Sequence, residues 1–175
     1  MNNRSMIPPA NYWIEKLQLT RHIEGGSFKE IYRSGMVLQK EMLPNEFNSN
    51  RNISTSIYFM LEQGQFSAFH RIASDEQWHF YFGGTLLVYE IQADGYLIEH
   101  KLGNDPAMAD SNFQCVIKAG SWFASRPATD VAYCIAGCTV SPGFDFADFE
   151  LADRHALIKY FPHHNDLIVS LTRDN

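Results

Sequence analysis

Cysteine is scarce in this chain: three among 175 residues, at Cys115, Cys134 and Cys138. So few thiols exclude a disulfide-stapled secreted scaffold and fit a reducing compartment. Cys134 and Cys138 look like a pair. Four steps along one strand, at about 3.3 Å each, would hold them about 13 Å apart, beyond disulfide reach. They are expected to be buried structural thiols. Long apolar runs are also missing. No stretch approaches the roughly 20 residues that span a bilayer, and Met1 to Trp13 lacks the apolar core of a secretory signal. A cytoplasmic protein with no membrane association is the expectation. Basic runs are absent as well. The net charge is −6, and Arg21, Lys29, Arg33, Lys40, Arg51, Arg71 and Lys101 stand scattered. An acidic surface repels phosphate backbones, so nucleic acid is not an expected partner. Repeats, low-complexity stretches and linkers are lacking too. The chain reads as a single domain over 1–175, long enough for a sizeable core.

Aromatic residues are plentiful, with thirteen Phe and eight Tyr. That composition favours pleated, half-buried strands. Pro8 and Pro9 precede a short segment with helical spacing, so a helix is expected at about 10–19. From Gly25-Gly26 onward the period changes to two. Strands are expected at 28–33, 53–61, 66–72, 76–82, 85–91, 96–102, 113–118, 121–125 and 131–138. Residues 36–51 read as a loop. Turn chemistry separates most strands, and Asp94-Gly95 between two apolar runs is a strong hairpin signal. A second helix is expected at about 153–161, ended by Pro162, with a returning strand at Asp166–Leu171. Many short strands with few helices indicate an all-β sandwich or jelly roll.

One interior pair stands out. In Phe66–Ile72 the alternation puts His70 on the apolar face, with Arg71 pointing away. Glu76, Trp78, Phe80 and Phe82 share the interior face of the next strand. A carboxylate beside an imidazole in an apolar container is a natural ion pair or acid–base pair. The Glu would raise the His pKa and burial would lower it. Alternatively the two simply satisfy each other in the core.

The spacing Gly64, five residues, His70, one residue, Ile72, three residues, Glu76, six residues, Gly83 resembles the first motif of the cupins. Ile72 replaces that motif's second His. The second motif corresponds to Lys118–Phe123, where Phe123 stands in place of the metal-binding His. Only His70 and Glu76 survive of the usual four ligands, so no metal cofactor is expected. The alternative is a divalent metal on His70, Glu76 and His79, although alternation turns His79 to the opposite face.

His22–Ser34, Phe69–Arg71, Ser74–Tyr81 and Gly137–Phe144 together make the chain similar to small single-domain cupins grouped as a family of unknown function. The resemblance implies a double-stranded β-helix (cupin jelly-roll barrel) over about 26–150 with short flanking helices, and a homodimer. It also implies a small-molecule ligand, sugar- or nucleotide-like. The group is similar in fold to sugar-nucleotide 3,5-epimerases of the dTDP-rhamnose pathway, which are metal-independent and use a barrel His with an Asp partner and a Tyr acid. His70 falls near that base, while Arg71 and Ile72 depart from the epimerase pattern after it. Tyr58, Tyr81, Tyr133 and Asp148 are candidate partners. Phe28, Glu30, Arg33, Tyr58, Trp78 and Phe123 are the candidate ligand-binding residues, beside catalytic His70 and Glu76. Phe144–Glu150, alternating aromatic and acidic, is a pocket lip or an edge segment. Arg33 meets an anionic ligand or forms a surface ion pair. The functional readings are a metal-independent isomerase or epimerase of a carbohydrate or sugar nucleotide, a metal-dependent dioxygenase or isomerase, and a non-catalytic metabolite-binding protein.

Overall fold

The period-two segments fold into two facing sheets, with their apolar faces turned toward each other. The computed structural model describes residues 7–108 and 110–173. Helix α1 (Ala10–Leu17) is followed by strands β1 (Thr20–Arg21), β2 (Ser27–Arg33), β3 (Val37–Leu38) and β4 (Arg51–Asn52). Then come β5 (Thr55–Glu62), β6 (Ser67–Arg71), β7 (Asp75–Gly83), β8 (Leu86–Ile91) and β9 (Leu97–Leu102). Strands β10 (Ser111–Asn112), β11 (Gln114–Ile117), β12 (Trp122–Pro127), β13 (Tyr133–Ser141) and β14 (Glu150–Leu151) complete the barrel. Helices α2 (Arg154–Tyr160) and α3 (Asn165–Ser170) follow.

One sheet runs β1-β2-β5-β13-β7-β11 and the other β10-β9-β8-β12-β6-β14. Almost all pairing is antiparallel, which is the jelly-roll pattern expected from the strand spacing. The Asp94-Gly95 turn joins β8 to β9 as expected, with Gly95 at φ 85°.

The barrel interior is half filled. Phe59, Leu61, Trp78, Leu86, Val88, Leu102, Ile117 and Phe123 pack one end solidly. At the other end β5, β7 and β13 present Thr55, Ile57, Glu76, Cys138 and Val140 to an open cavity. Helix α1 covers the outside of the first sheet, where Trp13, Ile14 and Leu17 pack on Met60, Tyr133 and Ile135. The C-terminal helices cover the second, placing Leu157, Ile168 and Leu171 against Phe69, Tyr89 and Ile91. Asp153 caps α2 by accepting from the Ala156 N–H at 2.8 Å.

Two expectations need correction. Asp166–Leu171 is not a returning strand; Asn165–Ser170 is helical. A short apolar run does not announce its period, and here the helical spacing lets Ile168 and Leu171 reach the same hydrophobic layer as Leu157. Phe82 does not face the interior. Opposite β7, the register steps from Ile135↔Phe82 to Ala136↔Phe80, leaving Tyr81 as a bulged residue. The bulge reverses the alternation, and Phe82 packs outside against Trp13 at 5.3 Å.

Candidate acid–base site in the barrel

The open end holds a cavity of about 230 Å³. Its buried floor comprises Glu24, Thr55, His70, Ile72, Glu76 and Val140, and its exposed mouth includes Glu30, Arg33, Asp145 and Phe146. His70 and Glu76 come from consecutive strands in opposite sheets, so they meet across the interior rather than side by side in one sheet.

The direct partner of His70 is Glu24, which lies inside the His22–Ser34 signature but is not among the candidate site residues. His70 Nδ1 lies 2.7 Å from Ala68 O. A carbonyl only accepts, so Nδ1 carries a hydrogen and donates it. His70 Nε2 then faces Glu24 Oε2 at 3.0 Å. Two lone pairs cannot face each other at that distance, so one proton sits on the Nε2–Oε2 line. Burial lowers the His70 pKa and pushes the Glu24 carboxyl up to about 7. Both shifts favour the uncharged partition, a neutral imidazole accepting from a carboxylic acid.

His22 completes this corner. The Glu24 backbone N–H donates to His22 Nδ1 at 3.3 Å, so that nitrogen is an acceptor, and burial lowers the His22 pKa. Glu76 sits on the cavity floor. Burial pushes its carboxyl up to about 7 as well, the nearby Glu24 adds to the rise, and the Cys138 thiol donates to it. The Cys138 pKa is in turn held well above the ordinary thiol value, by burial first and by Glu76 second.

Local sequence explains how Glu24 gets there. The segment His22–Gly26 is a tight turn between β1 and β2, closed by His22 N–H to Gly26 O at 3.1 Å. Gly25 has φ +124°, and a Cβ there would stand 2.0 Å from Phe66 O. Only glycine lets the turn press against β6 this closely, and that pressure delivers Glu24 to His70. The signal was present in Glu24-Gly25-Gly26, an acid ahead of two glycines, but no spacing rule links it to a residue 46 positions later (70 − 24).

Among the candidate ligand residues, Phe28, Glu30 and Arg33 line the cavity. Arg33 is both mouth residue and ion pair, clasping Glu30 at 3.1 and 2.7 Å. Tyr58, Trp78 and Phe123 do not line it. Tyr58 lies near Tyr81, their ring centroids 5.8 Å apart. Trp78 and Phe123 are core, although the Phe123 ring lies 4.0 Å from the His70 ring and backs it. The other proposed partners of His70 are elsewhere. Tyr133 Oη donates to Pro8 O at 2.7 Å outside the barrel, and Asp148 binds the buried Arg51 at 2.6 Å. The segment after β13 is a pocket lip: Phe144, Asp145 and Phe146 line the mouth, and Phe149 stacks on His70 at 5.3 Å.

The metal alternative does not assemble. His79 alternates away from the cavity and meets Thr139 Oγ1 at 3.1 Å. Phe123 fills the position of the second-motif His, and His70 Nε2 is already engaged by Glu24. Among the described residues, no three His, Cys, Asp or Glu side chains are arranged to hold an ion. His70, Glu76 and His79 therefore do not converge on one ion. The described residues also contain no helix long and apolar enough to cross a membrane.

Comparison with known proteins gives a consistent family. No curated protein matches the chain. A Shewanella oneidensis protein of solved structure is 36% identical, with a TM-score of 0.86, covering 97% of this chain and 100% of that one. A hypothetical protein from Leishmania major is 28% identical with a TM-score of 0.86, covering 95% and 100%. Bacillus subtilis oxalate decarboxylase, at 13% identity and a TM-score of 0.52 over 89% of this chain and 37% of that one, shares the fold alone. The family model described as Cupin superfamily (DUF985) matches residues 11–152, and this chain belongs to that family.

Proposed function

We propose that the barrel cavity binds a small molecule and exchanges a proton with it, as a metal-independent isomerase or epimerase of a small carbohydrate-like substrate would. The observation that carries this reading is the Glu24–His70 dyad, joined at 3.0 Å on the wall of a cavity, with its imidazole tautomer set by Ala68 O. A carboxyl near pH 7 is matched to accepting and returning a proton at neutral pH. In the step proposed, the Glu24 proton on Oε2 passes to His70 Nε2 as Glu24 takes a proton from a carbon next to a carbonyl. The electron pair of the C–H bond moves into the enolate, and the dyad holds both protons. The proton then returns to the same carbon on its other face, or to its neighbour. His70 positions the carboxyl and spreads the proton between Oε2 and Nε2. Glu76, on the cavity floor, holds the substrate.

The cavity is smaller than the roughly 300–1,000 Å³ that suit drug-sized ligands, so a whole sugar nucleotide would keep its nucleotide outside the mouth. Incubating the protein with a panel of small keto and aldehyde sugars in deuterated water tests the step. The expected result is deuterium at the carbon beside the carbonyl, lost in Glu24→Gln and His70→Ala. Incorporation that survives both substitutions, or none with any substrate, overturns the catalytic reading. Elemental analysis of protein purified without chelator tests the metal-independent part. A stoichiometric transition metal would overturn it.

A further inference from the structure

The cavity lining is rich in carboxyl groups. It includes four acids, Glu24, Glu30, Glu76 and Asp145, against one permanent cation, Arg33. That guanidinium is committed. Nε and Nη2 clasp Glu30, while Nη1 donates to Asn52 Oδ1 at 3.0 Å and to Phe144 O at 3.1 Å. No lysine lines the cavity among the described residues. His22 Nδ1 is an acceptor, and both nitrogens of His70 are engaged. A phosphate or carboxylate entering here would meet acids, and four of the five N–H donors of Arg33 are already engaged.

Glu76 is the opposite case. It is 8% exposed, lines the cavity, and its side-chain partner is the Cys138 thiol, a weak donor. A carboxylate offers about four lone-pair sites, so most of its accepting capacity is unspent. Aromatic rings stand nearby at the mouth. Phe28 lies 4.6 Å from the His22 ring and Phe146 lies 6.2 Å from it, while Phe144 packs on Phe146 at 5.1 Å. Faces of aromatic rings attract cations.

We propose that the ligand is a small organic cation: a molecule carrying a protonated amine that donates to Glu76, with its body held by the Phe28, Phe144 and Phe146 rim. This rests on the cavity being the ligand site, as above, and it adds the substrate class. An amine beside the exchanging carbon would be fixed on the cavity floor while the Glu24–His70 dyad works on the same molecule. Glu76 is the specificity residue and Arg33 is a structural clasp on the mouth.

The test is a ligand-observed NMR screen of small fragments in three size-matched classes: primary amines, neutral alcohols and amides, and carboxylates or phosphates. Wild type, Glu76→Gln and the exposed mouth variant Asp145→Asn are compared. The expected result is binding concentrated among the amines. Those amines should weaken about tenfold or more in Glu76→Gln, the loss of one charge-assisted hydrogen bond. Neutral binders should change less than about twofold. Asp145→Asn, which touches no core packing, should weaken amines more modestly and keeps the test valid if Glu76→Gln folds poorly. Binding spread evenly over the classes, or concentrated among anions, overturns the cation inference and leaves the cavity reading standing. No binding in any class overturns both.

Discussion

Replacing Glu76 by Gln should make the protein more stable at pH 8 and leave it nearly unchanged at pH 4.5. The carboxyl titrates at about 7 in the folded state against 4.5 for the free group. Between those values the folded chain keeps a proton that the unfolded chain has released. The stability from this group is therefore full below 4.5, falls as pH rises through the window, and levels off above about 7. A shift of about 2.5 pH units corresponds to about 3 kcal/mol. Coupling to Glu24 makes that an upper figure, since the charge on Glu24 is part of what raises Glu76. The amide introduced by Glu76→Gln keeps the shape and has no charge to bury, so the variant's advantage should grow from near zero at pH 4.5 to about 2–3 kcal/mol at pH 8. Urea unfolding at half-unit pH steps measures this, with the m-value constant to confirm that the comparison is like for like. Parallel stability curves for the two proteins across the window would refute the idea that a buried, penalised carboxyl faces the cavity.

Three further outcomes are expected. Gly25→Ala should destabilise by at least about 1–3 kcal/mol from backbone strain, because its Cβ would meet Phe66 O at 2.0 Å; thermal melts and loss of cavity ligands would report the displaced Glu24. Asp148→Ala should cost about 3–5 kcal/mol, since it strips the partner from Arg51, which is 2% exposed; a change under about 1 kcal/mol in chemical denaturation would contradict that burial. Dithionitrobenzoate at pH 8 should leave Cys134 and Cys138 unlabelled in the native protein and titrate all three thiols after unfolding, because both are buried with pKa values raised by desolvation; rapid native labelling at Cys138 would show that reagent enters the cavity more freely than the structure allows.

The strands were legible because period two and turn chemistry are local signals. Alternation next to them turns His70 and Glu76 inward, and both do face the cavity, although the pairing of β6 with β12 shifts register between Ser67 and His70. Past Phe80 the same rule failed, because the bulge at Tyr81 is set by pairing with β13 and leaves no mark in β7 itself. Tyr58, Trp78 and Phe123 have the size and chemistry of ligand residues. Which of two apolar ends is filled and which is open depends on how all the strands pack together, and that cannot be read one strand at a time.

By itself the sequence determined an all-β sandwich or jelly roll, with an imidazole and a carboxyl turned inward. Those conclusions follow from periodicity, spacing and residue chemistry, which are properties of short segments. Only the tertiary structure decided that His70 shares its proton with Glu24, that Glu76 faces the cavity with the Cys138 thiol as its side-chain partner, and that Arg33 clasps Glu30. The physical reason is distance in the chain. A turn at Gly25 and Gly26 closes onto a strand more than 40 residues away (Phe66 − Gly25 = 41), and hydrogen-bond partners chosen across such a gap exist only once the barrel has closed.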